Sequence, residues 1–201
     1  MKENTIESIL AETEKLISKN KAFEYWLVLE KSEKALESIR EQILGIVEPN
    51  VMLVGKAIIS KGTIIKSGTR IEGPVYIGKN CVIGPNAYLR PGTIISDNCH
   101  IGTSEIKNSI ILSETKIPHF SYVGDSIIGK NCNLGAGTKI ANLRHDSKNI
   151  VVIIDGKKID SKRRKLGALV FDNVKTGINC SINCGAIIMQ GETLLPNSFR
   201  K

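Results

Sequence analysis

An aliphatic residue recurs at every sixth position from 53 to 101 (53, 59, 65, 71, 77, 83, 89, 95 and 101), and each is Leu or Ile. The series continues through Ile106, Ile111, Ile117, Val123, Ile128, Leu134 and Ile140, with three steps shortened to five residues. It resumes at Val170, Thr176, Ile182, Ile188 and Leu194. A six-residue unit holds one short strand and one tight turn. Three units close a triangular coil of eighteen residues, with one inward aliphatic per unit filling a narrow lumen. Aromatics make up only 4% of the chain, which suits such a lumen better than a thick sandwich. Gly and Asn collect where corners fall, as residues tolerant of left-handed backbone should. Cys81 and Cys99 stand eighteen residues apart, and the shortened steps bring Cys132 into the same column. With no CxxC pair, these cysteines are expected to fill space, and no metal is expected.

Two segments depart from the period. Residues 1–46 carry helical spacing: Ile6, Ile9, Leu10, Thr13, Leu16 and Ile17, a break at Asn20, then Phe23, Trp26, Leu27, Leu36, Ile39 and Ile43. A helical hairpin over 1–48, packed on a β-helical domain over 49–201, is the expected organisation. Between Ala141 and Leu169 the repeat is interrupted. An apolar run, Ile150 to Ile154, meets Asp155-Gly156 and then Lys157-Lys158-Ile159, a hairpin signal. The basic cluster Lys162-Arg163-Arg164-Lys165 follows. It fits a solvated face and an anion site equally well. The net charge is +8, which alone does not choose among nucleic acid, membrane and small anions. The basic residues are not interleaved with aromatics, so a nucleic-acid partner is not expected. Nor is a membrane partner, since no apolar run reaches spanning length. A polar start without a leader and an odd cysteine count point to a soluble, reduced, cytoplasmic protein.

The stretch Ile117-Pro118-His119-Phe120-Ser121-Tyr122-Val123-Gly124-Asp125 breaks the residue choices of the repeat, and Asn133-Leu134-Gly135-Ala136-Gly137-Thr138 and Ala141-Asn142 follow it. Together they resemble the acetyltransferase domain of the bifunctional UDP-N-acetylglucosamine pyrophosphorylase/glucosamine-1-phosphate N-acetyltransferase family, in its archaeal and clostridial form. Leu89-Arg90-Pro91-Gly92, Glu105-Ile106-Lys107, Arg163–Ala168, Val174–Asn179 and Phe23–Trp26 extend the likeness over most of the chain. The resemblance implies a left-handed parallel β-helix, acetyl-CoA as cosubstrate and a homotrimer with sites between adjacent prisms. It assigns His119 as the catalytic base and Arg90 and Lys107 to the sugar phosphate. Tyr122, Asn133 and Asn142 would contact the substrate. Where the family has a serine and an alanine against acetyl-CoA, this chain has Ile178 and Pro196. No counterpart of the pyrophosphorylase is legible in the sequence, so no uridylyl transfer is expected.

The residue chemistry agrees. Acyl transfer to an amine needs a base as the C–N bond forms, and imidazole serves near neutral pH. An Arg and a Lys suit a phosphate, and amides suit hydroxyls. A tetrahedral intermediate needs N–H donors. Gly135 and Ala136 are expected to bring backbone N–H groups to the thioester, and Lys162, Arg163 and Arg164 to supply charge to acetyl-CoA. Two functions of different class follow. One is N-acetylation of a hexosamine 1-phosphate, gluco or galacto. The other is a weakly catalytic sugar-phosphate or sugar-nucleotide binding module that partners a separate nucleotidyltransferase.

Overall fold

The computed structural model describes residues 5–19 and 24–201; Asn20 and Phe23 of the helical reading lie outside them. The chain is a left-handed parallel β-helix. Each of its three faces stacks eight strands. The first face begins at Gln42–Ile43 and ends at Ile187–Ile188, the second runs from Ile46–Val47 to Thr193–Leu194, and the third from Met52–Val54 to Phe199–Arg200. Two long strands, His100–Lys107 and Lys116–Gly124, bend around the corner between the second and third faces.

The six-residue series is the lumen. Ile77, Ile95, Ile111, Ile128, Val170 and Ile188 stack in register down the first face. All are fully buried, with Ile83, Leu89, Ile101, Ile117, Leu134 and Ile140 beside them. Cys81, Cys99 and Cys132 are buried in one column, each thiol donating to a carbonyl of the next coil. Burial holds the Cys132 thiol up at about 11, as expected of space-filling sulfur. Corners close on left-handed residues. At Gly62 and Gly68, where φ is positive, a Cβ would also strike the carboxamide of Asn80 or Asn86 one coil on. The corner glycine is therefore fixed by both conformation and stacking.

Helix α1 (Ile6–Ser18) and helix α2 (Trp26–Glu37) pack on the outer side of the first face. Trp26 is core, as expected, whereas Leu27 is exposed. Helical structure ends earlier than the spacing suggested. Gln42–Ile43 and Ile46–Val47 are strands, paired with Ile58–Ile59 and Ile64–Ile65. Ladder bonds to the next coil outcompete local helical spacing there. The excursion forms the expected hairpin, Val151–Ile154 against Lys157–Asp160, turning on Asp155-Gly156 with both residues at positive φ. Its Ile150, Val152 and Ile154 join the helices over Ile94, Ile110, Ile127 and Leu169. The first face is thus buried on both sides, and Leu112 and Phe171 fill that layer. Tyr25 is fully buried there, and its hydroxyl donates to the Gly167 carbonyl at 3.0 Å. Burial raises its pKa. Among the described residues, no comparable layer covers the second and third faces, although His145 of the excursion lines a cavity with Tyr122, Lys139 and Ser181 on the third.

Candidate active site

On the third face, Arg90 and Lys107 are neighbours on successive coils, since the Arg90 N–H donates to the Ile106 carbonyl. Lys107 pairs in register with Gly124, and Tyr122 with Glu105. Asn142, at the exit to the excursion, reaches back over Gly124. Its amide donates to the Tyr122 hydroxyl at 3.0 Å and to Asp125 Oδ2 at 2.5 Å. Asp125 is only 2% exposed. It also accepts from Lys107 Nζ at 3.1 Å and from Asn108 Nδ2 at 2.8 Å. A buried carboxylate with three donors is satisfied and rigid. Arg90 pairs with Glu105 at 2.9 Å and lies 5.7 Å from the Tyr88 ring centre, and its Nε has no partner. Tyr122 is held protonated more strongly than usual, first by burial and then by Asp125 and Glu105. Four of the expected substrate residues, Arg90, Lys107, Tyr122 and Asn142, therefore share one surface.

Gly124 makes this arrangement possible. A Cβ there would lie 2.6 Å from the Tyr122 hydroxyl and 2.7 Å from Asn142 Nδ2. Gly124→Ala is expected to separate that pair and weaken sugar-phosphate binding about tenfold, the loss of roughly one charge-linked hydrogen bond. The unfolding midpoint should shift little. Calorimetric titration with glucosamine 1-phosphate checks it; unchanged affinity would mean the pair does not shape the site.

His119 stands at the corner between the second and third faces. There the strand Lys116–Gly124 carries one residue more than His100–Lys107, and the register shifts between Thr103 and Glu105. The difference arises because His100–Lys107 spans the shortened step from Ile101 to Ile106, whereas Ile117 to Val123 is a full six residues; Phe120 takes the usual left-handed corner position, with φ +48°, and is 71% exposed. At this full-length corner His119 is in register with Thr103. Its imidazole is exposed and has no hydrogen-bond partner among the described residues. Its carbonyl accepts from the Gly137 N–H at 3.0 Å, which seats Ala136 beside it on the next coil.

The expectation for Gly135 needs correction. Its N–H is spent inside the solenoid, on the Thr176 carbonyl at 3.1 Å and the Thr176 hydroxyl at 2.9 Å. A Cβ on Gly135 would strike the Thr176 and Gly177 backbone, so its smallness serves coil stacking. The N–H of Ala136 has no protein acceptor among the described residues. Ile178 continues the corner column below Ala136 and is 53% exposed. Asn133 lies on the second face, paired with Lys116 and Lys175, and not on the third-face surface of Arg90, Lys107, Tyr122 and Asn142. Of the basic cluster, Arg163 is bound to Glu33 of α2 at 2.5 Å and is not free to meet an anion. Arg164 donates to the Ser147 carbonyl and, like Lys162, is exposed. Asp125 was missed as a functional residue, although it closes the motif that begins at His119; its signal was an acid directly after Gly124. Among the described residues, no group of three or more His, Cys, Asp or Glu side chains could hold a metal ion. Nor, among the described residues, is any helix long and apolar enough to cross a membrane.

The stacked six-residue coils, with an exposed histidine beside a free backbone N–H at one corner, define a hexapeptide-repeat protein. The chain is 53% identical over 165 residues to the bifunctional sugar-1-phosphate nucleotidylyltransferase/acetyltransferase of Sulfurisphaera tokodaii, covering 81% of this chain and 41% of that protein. It is 50% identical over 161 residues to the bifunctional protein GlmU of Methanocaldococcus jannaschii, covering 80% of this chain and 39% of that one. The chain is thus a homologue of the archaeal GlmU-type proteins and spans about two fifths of their length. Residues 71–163 match the family described as the GMPPB C-terminal domain. Among solved structures, the UDP-N-acetylglucosamine acyltransferase of Francisella novicida aligns at 17% identity and a TM-score of 0.39, covering 77% of this chain and 62% of that one.

Proposed function

We propose that the chain transfers an acetyl group from acetyl-CoA to the 2-amino group of a hexosamine 1-phosphate, glucosamine or galactosamine 1-phosphate. The observation that carries this reading is the pairing of His119 with the free Ala136 N–H, at the corner bordering the third-face surface of Arg90, Lys107, Tyr122 and Asn142. The amine nitrogen attacks the thioester carbon while His119 takes its proton. The oxyanion that forms accepts from the Ala136 N–H. Collapse breaks the C–S bond, and the CoA thiolate leaves with the proton.

The same reading includes a homotrimer. The helices and hairpin cover the first face, so a neighbouring copy meets the second or third face, on either side of the His119 corner. Asn133, off the third-face surface of its own chain, would then serve a neighbour's site. The relatives' names combine acetyl transfer with nucleotidyl transfer, which supports a separate nucleotidyltransferase as partner. Free cysteines throughout and a CoA substrate fit a cytoplasmic location.

Ile178, exposed in the corner column, favours a second reading. An apolar side chain there alters the side on which acetyl-CoA is expected, leaving a module that binds sugar phosphate with little catalysis. Calorimetric titration with acetyl-CoA and with glucosamine 1-phosphate, alongside an assay of released thiol, separates the two. Binding of both with CoA release is expected. Sugar-phosphate binding without CoA release leaves the module; binding of neither overturns both.

A further inference from the structure

We infer that Glu33, on helix α2, is a positioning residue for the sugar-phosphate surface. One carboxylate oxygen, Oε1, accepts from two groups on different parts of the β-helix. Asn108 Nδ2 donates to it at 2.9 Å and Arg163 Nη2 at 2.5 Å. Asn108 Nδ2 also donates to Asp125 Oδ1 at 2.8 Å. Asp125 in turn holds Lys107 and Asn142, and Asn142 holds the Tyr122 hydroxyl. A continuous chain of charge-assisted hydrogen bonds therefore runs from α2 to three groups that face the substrate. Such networks orient the groups at their ends.

The anchor is rigid. α2 is fixed by Trp26, Val28, Leu29 and Leu36 in the layer over the first face. Asn108 sits at a tight corner, with φ +45° and its N–H on the Pro91 carbonyl, so its amide has few other places to point. Arg163 adds a second tie, from the excursion that begins immediately after Asn142. Without Glu33, one Asn108 donor contact is lost and Arg163 loses its carboxylate partner. Asn108, no longer held from α2, then fixes the orientation of Asp125 less firmly. The helical pair thus has a task beyond covering the first face.

The substrate named in the test rests on the function proposed above; the hydrogen-bond geometry does not. Glu33→Ala is expected to raise KM for glucosamine 1-phosphate about tenfold, with kcat within about twofold, the pattern of lost ground-state positioning. Glu33→Gln keeps an amide oxygen for Asn108 and is expected to restore KM to within about threefold of wild type, because the relay runs through that contact. Hydrogen exchange supplies a readout independent of turnover: segments 107–108 and 122–125 should exchange faster in Glu33→Ala and return toward wild type in Glu33→Gln. If the wild type shows no turnover, the acetyl-transfer reading falls and exchange alone decides the positioning role. Unchanged KM and unchanged exchange at 122–125, with only a lower melting temperature, would reduce Glu33 to a fold contact. Tighter sugar-phosphate binding in Glu33→Ala would overturn the proposal in the other direction, showing that Glu33 withholds Arg163 from the anion.

Discussion

Ile95→Asp is expected to unfold the protein or remove most of its stability. Ile95 points into the lumen, fully buried, between Ile77 and Ile111 in register on the coils either side. Losing a buried isoleucine costs about 2–5 kcal/mol. The carboxylate adds the cost of an unpaired polar group, or of its protonation, in a space lined by Ile, Leu and Cys. The sum approaches the roughly 5–15 kcal/mol that holds an ordinary domain together. A parallel solenoid also transmits the damage, because each coil is stabilised mainly by its neighbours. Ile64→Asp is the matched control. It is adjacent to lumen residue Ile65 but half-buried on the outer side of the second face, and its cost should be about 1 kcal/mol. Urea unfolding of both variants checks the register. Equal midpoints would mean that the inward and outward assignments are wrong.

The lumen was legible because its physics is local and repeated: one aliphatic per six residues, a turn residue between, and a shortened step wherever a corner tightens. Asp155-Gly156 marked the hairpin for a similar reason. The second buried layer was harder to see. Ile94-Ile95, Ile110-Ile111 and Ile127-Ile128 are doublets in which one residue faces the lumen and the other faces the helices. A strand buried on both faces gives such runs, but what covers the second side is set by α2 and the hairpin, far away in sequence. The end of the helical segment was ambiguous for another reason. Leu36, Ile39 and Ile43 keep helical spacing, yet Ile43 pairs with Ile59 as a strand. Only the partner chain segment decides between the two.

The site shows the same division. Arg90, Lys107, Tyr122 and Asn142 were found through their motifs and do share a surface. What holds them was not visible, because Glu33 meets Asn108 across 75 positions of sequence and Arg163 across 130. The same contact explains why the basic cluster was ambiguous: charge counting sees four cations, whereas the fold pairs Arg163 and leaves Arg164 and Lys162 outward. Gly135 failed as a backbone donor for a related reason. Its N–H looks available in a glycine-rich segment and is consumed by Thr176, more than forty residues on.

His119→Ala is expected to lower turnover by about 10²–10⁴, the usual contribution of a positioned base. The substrate amine is an ammonium at neutral pH: it gives one proton to solvent before it can attack and must lose a second as the C–N bond forms. Histidine is the side chain suited to accept one there. Neither other histidine is so placed: His100 lies within the second face, its pKa lowered by burial and by Lys66, His119 and Lys116, and His145 lies on the excursion. His119 stays paired with Thr103 in the ladder, but its imidazole is exposed and makes no hydrogen bond among the described residues, so truncating the side chain disturbs no bond of the fold and the melting temperature should stay within a degree or two. Affinity for glucosamine 1-phosphate should persist, because Arg90, Lys107, Tyr122 and Asn142 lie on the third face with their contacts intact. The Arg90→Ala variant should behave oppositely, with weaker binding and a nearly normal rate at saturation. Steady-state rates of CoA release, with calorimetry on the same preparations, decide the matter. A His119→Ala enzyme with full turnover would remove the imidazole from the chemistry and leave the corner as a binding contact.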